Sequence, residues 1–233
     1  MTTAVIAGVG PGLGESIARR FAAEGCDLGL LARSEGYIEE LAADLPTEAV
    51  AAPTNLADPE DISTAFDRVR AALGPVDVLV NHASAAGWTG LTDTDLDAFD
   101  RAYKVGPRAD FLCSQEAVRD MRAGAGGDDT AGTIIFTGAT TSVRGREGAV
   151  GFSMGKFGSR GLAESMAREL GPEGIHVAHV VIDGGIRPPG TEPEAPEEYL
   201  DPDAIADSYW HLVQQDRSAW TLELDLRPHV EDF

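Results

Sequence analysis

The sequence predicts a single doubly wound α/β domain, a parallel sheet of about seven strands with helices on both faces. Three observations predict it. Short apolar runs rich in β-branched residues alternate with stretches of helical spacing along the whole chain. The first run ends in a glycine-rich turn, "AGVGPGLG", that opens directly into a helical stretch. The 233 residues, 43% of them hydrophobic, suffice for one sizeable core, and neither a Gly- or Ser-rich linker nor an internal repeat divides them, so residues 1–233 read as one domain.

The elements follow in order. "TTAVIAGVG" is a strand, and "LGESIARRFAAEG" is a helix whose apolar stripe runs through Leu13, Ile17, Ala18 and Phe21 until Gly25 stops it. "CDLGLLAR" is a second strand, "SEGYIEELAADL" a helix and "EAVAAPTNL" a third strand. "DPEDISTAFDRVRAAL" is a helix with Asp58 as N-cap and Pro59 in the first helical position. "PVDVLVNHAS" is a near-continuously apolar fourth strand. Beyond a loop around Trp88, two helical stretches, 92–105 and 107–123, break near Gly106-Pro107, and a flexible "GAGGDDT" follows. Strand "GTIIFTG", helix "GFSMGKFGSRGLAESMARELG" and strand "IHVAHVVID" come next. A Pro- and Glu-rich loop from Ile186 to Tyr199, helix "DPDAIADSYWHLVQQ" and strand "AWTLELDL" close the chain. Residues 184–215 lie beyond a strand end, where such sheets bind ligands, and read as the substrate loop and helix.

Composition narrows the partners. The chain has 39 Asp plus Glu against 18 Lys plus Arg, a net charge of −21, and its only lysines are Lys104 and Lys156. Phosphate backbones need a basic surface, so nucleic acid is excluded as a partner. An acidic, lysine-poor surface resembles that of salt-adapted, halophilic proteins, in which ionic strength screens self-repulsion. No signal peptide and no stretch long enough to span a membrane is present, which predicts a cytoplasmic protein. Cys26 and Cys113 stand in separate elements without metal or disulfide spacing, so they read as packing residues, and no metal site is expected.

"AGVGPGLG" has the context that a dinucleotide fingerprint requires. Gly8 takes the tight turn, Gly12 lets the backbone approach a pyrophosphate, and Gly14 lets helix and strand pack closely, while the helix N-terminus supplies positive partial charge. The turn resembles the TGxxxGxG of the short-chain dehydrogenase/reductase family, with Ala7 for Thr. "GPVDVLVNHAS" resembles its G-x-x-D-x-L-V-N-N-A-G, and "GKFGSRGLAESMARELGPEGIHV" is similar to the segment around its lysine. The resemblance runs through most of the chain and fades after about residue 186. It implies a Rossmann-like fold, an NAD(P)-dependent oxidoreductase acting on a carbonyl or alcohol, and a homodimer or homotetramer built through two long helices. It also implies cofactor contacts at Gly8, Gly10, Gly12, Leu13, Gly14, Asn55, Leu56, Asn81, Ala83, Lys156, Gly184 and Ile186. At the end of the second strand, Ala32 stands where an NAD-binder carries an acid. Arg33 follows, suited to a 2′-phosphate with Ser34 adding a hydrogen bond, so NADP is favoured and NAD remains open.

The family's catalytic residues are Asn, Ser, Tyr and Lys. Gap-free alignment places Gly106, Ala139 and Phe152 in the first three slots, and only Lys156 matches. The resemblance therefore implies an atypical member. In the family, tyrosine passes a proton to or from the substrate oxygen with its pKa lowered by the lysine, which Phe152 cannot do. Two readings stay open: an oxidoreductase with another proton donor, or a catalytically inactive NAD(P)-binding regulatory or scaffold protein. Ser153, three residues before Lys156, and Thr140, Thr141 and Ser142 in the preceding loop are candidate donors, with Tyr103 and His82 placed less favourably. Arg144, Arg146 and Arg187 follow strand ends and stand near the substrate mouth.

Overall fold

The structure, a computed structural model, describes residues 2–85, 87–124 and 131–231. Seven parallel strands form one sheet: β1 (Thr3–Ala7), β2 (Asp27–Ala32), β3 (Ala49–Pro53), β4 (Val78–Asn81), β5 (Gly132–Thr137), β6 (Ile175–Ile182) and, last in the chain, β9 (Glu223–Leu226). Their order across the sheet is β3-β2-β1-β4-β5-β6-β9. Every residue of β1, β2, β4, β5 and β6 is buried, as expected of parallel strands covered on both faces.

Two helical layers provide that cover. Helices α1 (Leu13–Ala23), α2 (Glu35–Asp44) and α7 (Pro202–Val213) bury Ile17, Phe21, Ile38 and Tyr209 on one face, where Phe21 meets Trp210 edge to face at 5.3 Å. The other face takes α3 (Pro59–Leu73), α5 (Pro107–Gly124) and α6 (Val150–Leu170), with Phe66, Cys113, Met121 and Phe136 in its core. α4 (Leu96–Val105) precedes α5 and packs along α6. Asp58 caps α3 through the amide of Glu60 at 2.9 Å, with Pro59 in the first turn, as the sequence predicts. Both cysteines are buried and free. No described helix is long and apolar enough to cross a membrane.

The structure departs from the sequence reading in three places. The fourth strand stops at Asn81 instead of running to residue 84, because the amides of His82 and Ala83 both turn to the carbonyl of Ala7, at 3.0 and 2.9 Å. Within the loop region beyond β6, β7 (Gly185–Ile186) pairs in parallel with β8 (Tyr199–Leu200). The last strand begins at Glu223, not near 219. A 3-10 turn at Arg217–Ala219 comes first, and Trp220 stacks on His176 at 4.9 Å while its indole N–H donates to the carbonyl of Gln215. The expected flexible segment falls almost entirely on 125–130, outside the described residues.

The strand order places the cleft. β1 and its successors β2 and β3 run one way from the centre, and the chain then crosses back to set β4 on the other side of β1. Loops leaving the carboxyl ends of β1 and β4 consequently diverge and open a crevice between them.

Candidate active site

The glycine turn after β1 forms one wall of that crevice. The amides of Gly8 and Val9 donate to the carbonyl of Leu31 at 2.8 and 3.1 Å, which bends the chain sharply off the strand. Gly8 has φ +110°, and a Cβ there would lie 2.6 Å from the amide nitrogen of Ala83, so a side chain is excluded twice. At Gly14 a Cβ would crowd the carbonyl of Gly8 at 3.1 Å, which is the close packing of helix on strand that the spacing predicts. Gly10 is different. A Cβ there would meet nothing within 4 Å, so the protein's own packing does not require a glycine at this position.

The cavity beside this turn measures about 880 Å³. Gly8, Gly10, Arg33, Ser34, Asn55, Leu56 and Ala83 line it, as the sequence reading expects of cofactor contacts. Gly12, Leu13, Gly14 and Asn81 do not: Leu13 is buried in the core, and buried Asn81 donates to the hydroxyl of Ser114 at 3.1 Å. Sequence reasoning missed Arg101, which reaches the same cavity from α4. Arg33 and Arg101 make no ion pair among the described residues. An elongated cavity with a bare glycine turn and two uncompensated guanidiniums suits a dinucleotide's phosphates.

A second cavity of about 550 Å³ adjoins it, with His82 and Ser84 common to both walls. Lys156 opens onto it although the residue is 7% exposed. Its ammonium donates to the carbonyl of Thr137 at 2.6 Å and lies 5.8 Å from the centroid of the Phe152 ring. Burial pulls the lysine pKa down, and the nearby Asp110 charge works against that. His82 is held neutral: desolvation first, then the Lys156 charge, takes its pKa down to about 4. The hydroxyl of Tyr209 donates to the hydroxyl oxygen of Thr137 at 2.9 Å, and the Thr137 hydroxyl and Nδ1 of His82 share a hydrogen bond at 3.2 Å. Behind Lys156, Ser159 donates to the buried Asp110 carboxyl at 2.5 Å, and burial pushes Asp110 up to about 7 against the opposing pull of that hydrogen bond and of Lys156.

The remaining predicted residues divide by place. Ala139, Thr140, Phe152, Gly184 and Ile186 line the second cavity. Thr140 gives its hydroxyl proton to the buried carboxylate of Asp183 at 2.7 Å, and Arg144 reaches the same carboxylate at 3.0 Å. Ser153 lies outside both cavity linings, and its hydroxyl accepts the backbone N–H of Arg146 at 3.3 Å. Gly106 caps α4 in a geometry where a Cβ would stand 2.7 Å from the carbonyl of Ala102. It lines neither of the two cavities and borders a hollow of about 10 Å³ that it shares with Lys156, Phe152 and Ser159. Tyr103 is exposed on α4 and lines neither cavity. Arg146, read from the sequence as near the substrate mouth, and Trp88, not read as a site contact, both line the second cavity; the Trp88 ring lies 5.6 Å from Phe152.

This layout has known counterparts. The family model described as short chain dehydrogenase matches residues 2–198. The chain belongs to the short-chain dehydrogenase family. Its fold is similar to the crystal structure of a short-chain dehydrogenase from Rhodopseudomonas palustris, with 32% identity, a TM-score of 0.85, and coverage of 98% of this chain and 99% of that one. A metagenomic short-chain oxidoreductase in complex with NADP is 25% identical, with a TM-score of 0.82 over 99% of this chain and 98% of its own. Carbonyl reductase [NADPH] 2 of Sus scrofa is 31% identical over 178 residues, 76% of this chain and 69% of that protein. The last two of these relatives are named as an oxidoreductase and a reductase, and their names carry NADP or NADPH.

Proposed function

We propose that this short-chain dehydrogenase is an NADP(H)-linked oxidoreductase that interconverts a carbonyl compound and its alcohol, with proton transfer arranged around Lys156 in place of a tyrosine hydroxyl. The observation that carries the reading is Lys156 itself. A buried ammonium is costly, yet this one is retained on the wall of the second cavity, anchored on the Thr137 carbonyl. A nicotinamide dinucleotide bound along the glycine turn supplies or takes up the hydride. The chain's own groups do the rest. The backbone of Gly8 to Pro11 and the guanidiniums of Arg33 and Arg101 hold phosphates, and with Ala32 bringing no acid to the ribose the site favours NADP over NAD. Lys156 holds a proton at Nζ, which its desolvated setting makes easier to release to a substrate oxygen. Phe152, one helical turn before it, walls the cavity and shields the ammonium from water.

The alignment that puts Phe152, Ala139 and Gly106 in the tyrosine, serine and asparagine slots supports an atypical mechanism. The same three residues favour a second reading, a nucleotide-binding protein without turnover, because none brings a hydroxyl or amide to the cavity. Equilibrium binding of NADPH, followed by a carbonyl and alcohol turnover screen at high salt, separates the two. Binding with turnover supports the enzyme, and binding without turnover on any substrate supports the alternative. Assembly as a homodimer or homotetramer in the cytoplasm is part of the same proposal.

A further inference from the structure

Carboxylates outnumber cations about two to one, and the described arginines are mostly tied to them. Arg144 pairs with Asp183 at 3.0 Å, Arg187 with Asp201 at 2.7 Å and Arg160 with Glu223 at 2.6 Å. Arg33, Arg68, Arg101, Arg108 and Arg146 make no ion pair among the described residues. Arg108 donates to the carbonyl of Ala57, and Arg68 stands on α3. The other three all line the two cavities: Arg33 and Arg101 the larger, Arg146 the smaller. On so acidic a chain, a guanidinium left without a carboxylate marks a place where the missing anion comes from outside.

Arg146 is the informative member, because it lines the second cavity together with Lys156. Its backbone is pinned, its N–H held by Ser153, while its guanidinium has no intramolecular hydrogen bond among the described residues. Of the three arginines that follow strand ends near this mouth, Arg144 and Arg187 are neutralised and Arg146 is not. Glu231 shares the cavity wall, but it lies in the field of Arg227. His82, Lys156 and the hydroxyls of Thr137, Thr140 and Thr141 make one part of the wall polar, and Phe152, Ile182, Ile186 and Trp88 make another part apolar, Trp88 being 61% exposed and so unburied until something covers it.

We propose that the second cavity takes an oxo acid, a carbonyl compound with an apolar or aromatic body whose carboxylate is received by Arg146. The aromatic pair Trp88 and Phe152 covers the body, and Arg146 fixes the acid end. The inference rests on the oxidoreductase reading for the fate of the carbonyl but not for the binding. Specificity then comes from a charge-assisted, bidentate contact at one end of the cavity.

Binding can be measured without turnover. Phenylpyruvate and its methyl ester are titrated calorimetrically into the protein saturated with NADP⁺, which cannot donate hydride. The acid should bind at least tenfold more tightly than the ester, Arg146→Gln should erase that difference with the ester unaffected, and Arg68→Gln should preserve it. Equal affinity for acid and ester, or a preference that survives Arg146→Gln, overturns the proposal. A parallel assay with NADPH keeps the two readings apart. Arg146-dependent binding of the acid with no turnover of any carbonyl compound or alcohol refutes the oxidoreductase and leaves the carboxylate site standing, whereas reduction of neutral carbonyls with no preference for the acid does the reverse.

Discussion

Ser159 donates a 2.5 Å hydrogen bond to the carboxyl of Asp110, and both side chains are buried behind Lys156. A carboxyl placed there is disfavoured as an anion, and burial raises it from the ordinary range to about 7. The folded chain therefore binds a proton at Asp110 that the unfolded chain has already lost, between about pH 4 and about pH 7. Stability contributed by this group is full below pH 4, falls as pH rises through that window, and is flat above it.

Asp110→Asn keeps the shape and the acceptor for Ser159 but removes the titration. Denaturant midpoints at pH 5 and pH 8 should show the variant gaining on the parent as pH rises, with the gap largest at pH 8. His82 titrates in the opposite sense, costing stability as pH falls toward 4, but it is common to both proteins and cancels in the comparison. Parallel midpoints at the two pH values would mean that Asp110 ionises normally in the fold.

Arg33→Asp should narrow or reverse the preference for NADPH over NADH. The substitution removes an uncompensated guanidinium from the larger cavity and supplies a carboxylate that accepts hydrogen bonds from a ribose diol. Fluorescence titration of the two cofactors checks it. Equal affinities unaltered by the substitution would take Arg33 out of the site.

The double change Ala139→Ser with Phe152→Tyr places a serine hydroxyl and a phenol on the second cavity, with the ammonium of Lys156 close enough to lower the phenol's pKa. Carbonyl reduction should rise by about tenfold or more, a modest part of what a positioned general acid contributes. Restoring asparagine at 106 is not expected to help, because a Cβ there meets the Ala102 carbonyl at 2.7 Å and would shift the α4–α5 junction. If the double variant is slower than its parent, Phe152 is the wall of a pocket shaped for other chemistry.

The parts of the site that are legible in sequence are those whose cause is local. Gly8 and Gly14 reveal themselves through spacing because the turn and the helix–strand contact are each made within a few residues. Lys156 stands out as one of only two lysines. Arg101, Trp88 and Asp110 could not be read, because their meaning depends on how α4, α5 and α6 pack. Arg101 looks like any charge on an amphipathic helix, and the burial of Asp110 follows only once α5 lies against Ser159 of α6. Ser153 looked suited to proton donation by helical spacing from Lys156, yet its hydroxyl is engaged by the amide of Arg146, a contact made across the loop that precedes α6. The fourth strand read too long because no Gly or Pro directly after Asn81 marks the point where the backbone hydrogen bonds leave the ladder for Ala7.

The most direct measurement is NADPH oxidation by the intact protein and by Lys156→Ala across a set of carbonyl compounds that includes aromatic oxo acids, with NADPH affinity determined in parallel. The account predicts turnover by the parent that falls at least about a hundredfold in Lys156→Ala, the size expected when a positioned proton donor is removed. Turnover undiminished in Lys156→Ala, or tight NADPH binding by the parent with no turnover of any compound, would contradict it.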